Sequence, residues 1–301
     1  MNKILNLSRR KKKRGRGMKQ VRSQESEVKS HWQKKLLPIA YCLLPLFFLF
    51  AACSQDPAMP AYEKAEELFS QRAYTKAINS YSNIVSKYPE SPYAPASQYK
   101  IGLINHLYMA DIRMAMNAYA TLMLLYPDSK EVALARSDLA DIYIHKGDYR
   151  KALGEYQWLV KNTGGAKRDN FQYQIAMAYL KLTDIKQARI ELQEVIKSSL
   201  NSPLGPQVYY QIANTYYLEG DYKAAIKSYE RVISSYPKNP YADEARLGKA
   251  VCIEETGNLA EAVELYKELE KSYPNPDVIK IRLDAIEARE KKNTPVARKG
   301  D

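Results

Sequence analysis

The residues best able to move protons or hold a metal near neutral pH are three histidines, His31, His106 and His145. Neither His106 nor His145 has a second histidine three or four places away, so no zinc pair of the kind one helix face presents can be drawn. His106 falls on an apolar stripe and reads as a packed core residue; His145 sits near a predicted helix end and reads as surface. Adjacent carboxylates, Glu66 with Glu67 and Glu254 with Glu255, read as solvated helix faces. The stretch Gly164 to Lys167 lacks the spacing and preceding strand of a phosphate loop, and no Gly-x-Ser-x-Gly elbow occurs. Cys252, a lone cysteine in a helical stripe, reads as a small core residue. The expectation is a chain that is no enzyme and takes no cofactor, metal or small-molecule substrate.

A different chemistry is suggested at Cys53. Of the 46 Lys and Arg, thirteen lie in residues 1–52 against two of the 34 Asp and Glu, a net of +11 that leaves only +1 for the rest. This basic segment precedes the apolar run Leu36 to Ala52, interrupted by Pro38 and Pro45 and short of the ~20 residues of a spanning helix. Basic, apolar, then small is the order of a secretory signal. Phe50-Ala51-Ala52-Cys53 resembles the bacterial lipobox, with Phe50 where Leu is usual, which implies lipidation of Cys53. A membrane anchor left uncleaved is the alternative, and initiation at Met18 instead of Met1 would remove Arg9 to Gly17. The nearly neutral remainder argues against nucleic acid as the partner. A cytoplasmic or nucleic-acid adaptor using the basic arm is the reading from another class.

The rest is periodic. In Val208 to Ala242, apolar residues at Tyr209, Ile212, Ala213, Tyr216 and Tyr217 make one helical stripe, Gly220-Asp221 stops it, and Tyr222, Ala225, Ile226, Tyr229, Val232 and Ile233 make a second. Pro237 and Pro240 end that second helix. This helical hairpin recurs six times. Its small contact residue is Ala77, Ala115, Ala152, Ala188, Ala225 and Ala262, at intervals of 38, 37, 36, 37 and 37 residues. The residue four places on is Tyr81, Tyr119, Tyr156, Leu192, Tyr229 and Tyr266. A hairpin with two apolar faces cannot bury both alone and stacks on its copies.

The pattern of small, aromatic and proline positions resembles the tetratricopeptide repeat family. The small residue of the first helix is Ala65, Ala140, Ala176, Ala213 and Ala250, while repeat two offers Leu103 with Gly102 beside it. The longer period, with linkers such as Tyr88 to Ala94 and Tyr236 to Ala242, resembles the envelope subgroup that contains BamD and CpoB. The resemblance implies an all-α, right-handed superhelix of about six hairpins with a C-terminal capping helix. The expected divisions are 1–52 signal peptide with basic leader, 53–60 lipidated N-terminus and extended tether, 61–291 array with cap, and 292–301 disordered tail. In the cap, Val278, Ile281, Leu283 and Ile286 are expected inward, and Lys280, Arg282, Glu287 and Arg289 outward. The exit of repeat four, Ser199 to Pro206, is the expected site of a change in path.

Carried over by register, the family's concave groove falls on Tyr62, Phe69, Lys100, Leu107, Tyr108, Asp141, Ile144, Asn170, Tyr173, Met177, Lys181, Tyr210, Asn214 and Tyr217, of which Tyr173, Met177, Tyr210, Asn214 and Tyr217 form the expected peptide-binding face; Lys100 and Ile104 leave a carboxylate clamp incomplete. The implied partners are envelope proteins or peptides, with membrane attachment through a lipid and a role on the periplasmic face of the outer membrane. Outer-membrane protein assembly is what likeness to BamD implies, and a CpoB-like envelope scaffold is the alternative.

Overall fold

In a computed structural model the described residues are 56–198 and 203–293, and they form thirteen α-helices with no strand among them. Repeat one is α1 (Met59–Ser70) and α2 (Tyr74–Lys87); repeat two is α3 (Tyr93–Leu107) and α4 (Ile112–Leu125); repeat three is α5 (Glu131–Lys146) and α6 (Tyr149–Asn162). Repeat four is α7 (Gly165–Lys181) and α8 (Ile185–Ser198), repeat five α9 (Gly205–Leu218) and α10 (Tyr222–Ser235), and repeat six α11 (Pro240–Glu255) and α12 (Leu259–Glu270); α13 (Pro276–Asn293) follows. Cys53, residues 199–202 at the exit of repeat four and residues 294–301 of the expected tail lie outside the described residues, while positions 292 and 293 of that tail belong to α13. Among those described, no helix is long and apolar enough to cross a membrane.

The core is a ladder of one contact repeated. Ala77, Ala115, Ala152, Ala188, Ala225 and Ala262 are fully buried, as are Ala65, Ala140, Ala176, Ala213 and Ala250. Each pair of small residues lets two helices approach closely enough for the large residue four places on to lie across the neighbouring helix. Repeat two clarifies its own register here. Gly102 is buried beneath the Tyr119 ring, and a methyl group at Gly102 would come within 2.4 Å of it. Gly102, and not Leu103, is therefore the small residue of that repeat. Gly248, in the first helix of repeat six, likewise lies against the ring of Tyr229 from repeat five, at 2.5 Å.

Every hairpin turns through one left-handed residue. These are Arg72, Ala110, Gly147, Thr183, Gly220 and Gly257, with φ of 61°, 54°, 76°, 61°, 76° and 86°. Backbone N–H groups at most of these corners then return to the last turn of the first helix, as Gly147 N to Ile144 O at 3.0 Å and Asp148 N to Tyr143 O at 2.9 Å. Glycine suits this position; Arg72, Ala110 and Thr183 each accept roughly 1 kcal/mol of strain to occupy it. Several second helices start on a side-chain cap, with Asp111 accepting from Met114 N, Asp221 from Ala224 N and Asn258 from Glu261 N, whereas Ala73 in repeat one and Asp148 in repeat three give none.

Two expectations are corrected here. The tether from Ser54 to Ala61 is not extended throughout: Asp56 accepts from Ala58 N at 2.8 Å and the chain is helical from Met59. In α13 the inward residues are Ile279, Leu283 and Ile286, whereas Ile281 is 67% exposed and Val278 is exposed as well. Ile279 and Ile286 pack on Ala250, Ile253, Tyr266 and Leu269, so α13 covers the apolar end of repeat six.

Candidate groove and its polar supports

The large buried tyrosines of the second helices carry hydroxyls that burial would leave unpaired, and each is answered from a first helix. Tyr81 donates to Glu66 at 2.5 Å, Tyr156 to Asp141 at 2.9 Å and Tyr229 to Asn214 at 2.5 Å. The acceptor is the residue immediately after the small Ala65, Ala140 or Ala213. In repeat four, where Leu192 replaces the tyrosine, that position is Met177. Repeats two and six lack an acceptor there, having Leu103 and Val251. Tyr119 reaches Asp138 of repeat three at 2.8 Å, and Tyr266 reaches Glu254 one turn further along α11 at 2.8 Å. Asn214 and Met177, two of the groove residues expected from the sequence, thus also answer to the core behind them.

Burial drives these hydroxyls up in pKa, and neighbouring carboxylates add to it: Tyr81, Tyr119, Tyr156 and Tyr266 are all raised. Tyr62 is pushed up to about 12 by burial and then by Glu66. The carboxylates respond unequally. Burial raises Asp138 despite the hydroxyls of Tyr119 and Tyr99. At Glu66 burial is outweighed by hydrogen bonds from Tyr81 and Lys100, and its pKa is lowered.

Glu254 corrects the reading of Glu254-Glu255 as a solvated face. Its side chain is 1% exposed, and it pairs with Arg282 at 3.4 Å and Arg289 at 3.1 Å, both from α13, besides accepting from Tyr266. The two arginines expected to face only water thus fasten the cap. Glu66 is likewise engaged, by Tyr81 and by Lys100 Nζ at 3.0 Å, while Glu67 is exposed. His145 is exposed, its Nδ1 2.7 Å from Asp141 O. His106 is partly buried, and Cys252 is buried with its thiol pushed up to about 11 by burial.

Between α9, α11 and α13 lies a groove of about 370 Å³. Tyr210, Asn214 and Tyr217 line it from α9, Leu247 and Val251 from α11, and Glu244 and Arg282 stand at its sides. Tyr210 packs on Tyr229 at 5.9 Å and Tyr241 at 5.5 Å between ring centroids, and burial raises its pKa as it raises that of Tyr217. Tyr173 and Met177 lie one repeat upstream and are not among the lining residues. Tyr173 is only 7% exposed, packed with Ala176, Leu192 and Val208, and accepts from Gln207 Nε2 at 2.8 Å. Leu247 and Val251 were missed from the sequence, although each stands 37 residues after Tyr210 or Asn214 and shares its place in the repeat. Arg282 comes from the cap, and no repeat position foreshadows it.

The architecture is thus a solenoid of stacked helical hairpins with a closing helix. Residues 173–240 and 210–275 match the sequence model of the tetratricopeptide repeat family, which covers repeats four to six. Among curated proteins, none matches the chain by sequence. Among solved structures, it is similar to a tetratricopeptide repeat protein from Parabacteroides merdae, at 18% identity and a TM-score of 0.50 over 76% of this chain and 98% of that one. Looser superpositions include PilF of Pseudomonas aeruginosa, at 13% identity and 0.48 over 76% and 96% of the chains. Another is YrrB, described as a tetratricopeptide repeat protein with an unusual peptide-binding site, at 16% and 0.49 over 70% and 97%.

Proposed function

We propose that this chain is a protein-binding scaffold that holds an extended partner segment in the groove between α9, α11 and α13. The observation that carries the reading is the groove's lining: half-buried Tyr210 and Tyr217 and the apolar Leu247 and Val251, set between polar groups at Asn214, Glu244 and Arg282. Such a surface offers contact area for side chains and hydrogen-bonding tips for a backbone, at low entropic cost for the aromatics. The order of the leader, basic then apolar then small before Cys53, supports a lipid anchor, and with it a place on the periplasmic face of the outer membrane. Within that setting the likeness to BamD motivates a role in outer-membrane protein assembly.

Tyr210→Ala combined with Tyr217→Ala is expected to weaken capture of an envelope protein partner about thirtyfold or more, if the two act as anchoring residues. Helix content and membrane attachment stay unchanged. Crosslinking in cells, read by identifying what is captured with and without the double substitution, measures it. Undiminished capture moves the binding face elsewhere.

A further inference from the structure

We propose that the hairpin corners of repeats one to four form a docking edge for an anionic lipid surface, separate from the groove. Four apolar side chains project from the corner of repeat two: Leu107 is 59% exposed, Tyr108 and Met109 47% each, and Met114 43%. Tyr108 is fixed from the corner of repeat one, packing against Tyr74 at 4.8 Å and edge-to-face on Phe69 at 5.4 Å between centroids. The apolar tips are therefore held outward on a rigid base. None of them lines a described groove.

The corners of repeats one to four carry six exposed cations, Arg72, Lys76, Arg113, Lys146, Arg150 and Lys186. None is in an ion pair among the described residues. The acidic residues of the same corners are occupied. Asp111 and Asp184 cap helices, accepting from Met114 N and Gln187 N; Asp148 pairs with Lys151 at 3.4 Å; Glu67 accepts from Gln71 at 3.0 Å. Arg72 holds its cation at a left-handed position that glycine would fill without strain. In the corners of repeats five and six, Glu219 pairs with Arg189 of repeat four, Asp221 caps α10, Glu261 accepts from Asn258 Nδ2, and Lys223 adds one more exposed cation.

The exposed apolar tips of the repeat-two corner thus share an edge with cations that are in no ion pair among the described residues. Projecting apolar tips on a basic edge match a lipid interface, which yields to the tips while its headgroups meet the cations. A folded acidic partner would need a cavity complementary to four protruding side chains. The fluid surface needs none, which is why we assign the edge to lipid.

The test uses the full-length chain and vesicles of phosphatidylcholine with or without phosphatidylglycerol. Reversing Arg72→Glu, Arg113→Glu, Lys146→Glu and Arg150→Glu is expected to lower binding to the phosphatidylglycerol vesicles about a hundredfold or more. A control of equal charge change on the opposite edge, Lys87→Glu, Lys161→Glu, Lys167→Glu and Lys238→Glu, should change it less than about twofold by the same scale. Both variants retain residues 1–52, so attraction through the leader is common to them. Local hydrogen exchange gives the independent reading: amides of residues 105–114 should slow when phosphatidylglycerol vesicles are added. Unchanged exchange there overturns the proposal, whatever the bulk binding does. Protection of the same amides by DNA or by an acidic protein, and not by vesicles, reassigns the edge and overturns it equally.

Discussion

Replacing Arg282 and Arg289 together by Ala is expected to destabilise the C-terminal end by about 3 kcal/mol, because it leaves the Glu254 carboxylate buried with only the Tyr266 hydroxyl for company. The alternative removal is milder. Glu254→Ala leaves the two arginines 38% and 58% exposed, so water can serve them, and the cost falls to about 2 kcal/mol, chiefly from the buried Tyr266 hydroxyl left without its acceptor. Adding Glu254→Ala to the double variant should then recover part of the stability, since the unpaired buried charge is gone while the Tyr266 hydroxyl still lacks its acceptor. Hydrogen exchange over residues 276–293 reads the effect locally, and chemical denaturation reads it as a whole. A double variant within ±0.5 kcal/mol of wild type, the range of ordinary surface changes, would mean that the cap is held by Ile279 and Ile286 alone.

The second large effect concerns the position that follows the small residue of each first helix. Repeat four pairs Met177 with Leu192, where repeat five pairs Asn214 with Tyr229. Asn214→Met should cost about 2 kcal/mol by leaving the buried Tyr229 hydroxyl without its acceptor. Tyr229→Leu should cost about 3 kcal/mol through the space left against Gly248 and the lost bond. Made together, the two changes copy repeat four into repeat five, and their combined cost should fall short of the sum by about 1 kcal/mol or more. Strict additivity of the measured stabilities would show that the hydroxyl does not depend on Asn214.

These two experiments bear on what was legible in the sequence. The period, the hairpin boundaries at Tyr-Pro and the buried alanines follow from apolar spacing, because each repeat solves the same packing problem with the same residues. Features that depend on a partner far along the chain were hidden. Glu254 sits in an acidic pair that reads as solvated until two arginines 28 and 35 residues later are brought onto it. In α13, the run Val278, Ile279, Ile281, Leu283 and Ile286 permits two inward faces, and only contact with Ala250 and Tyr266 selects Ile279. The groove was legible in part: Tyr210, Asn214 and Tyr217 come together as their register implied, whereas Tyr173 is taken up by the core. The acceptor beside each small residue could have been read from the sequence, since acid or amide stands there in repeats one, three and five and Met177 stands opposite the one leucine.

The hydroxyl-to-carboxylate contacts also set how the array meets alkali. Each such phenol, on losing its proton, would place a second negative charge beside an enclosed carboxylate. The folded chain therefore resists tyrosinate formation, with Tyr273 pushed up to about 12 by burial and Glu244 and the buried tyrosines of the second helices raised as well. The unfolded chain ionises them at about 10. Since the folded values lie above the unfolded one, this contribution to stability is complete below that pH and declines as pH rises beyond it. An alkaline ultraviolet titration should show tyrosinate absorbance lagging while the helices persist and then rising together with their loss, so that the chain's own phenols report its unfolding without any added dye.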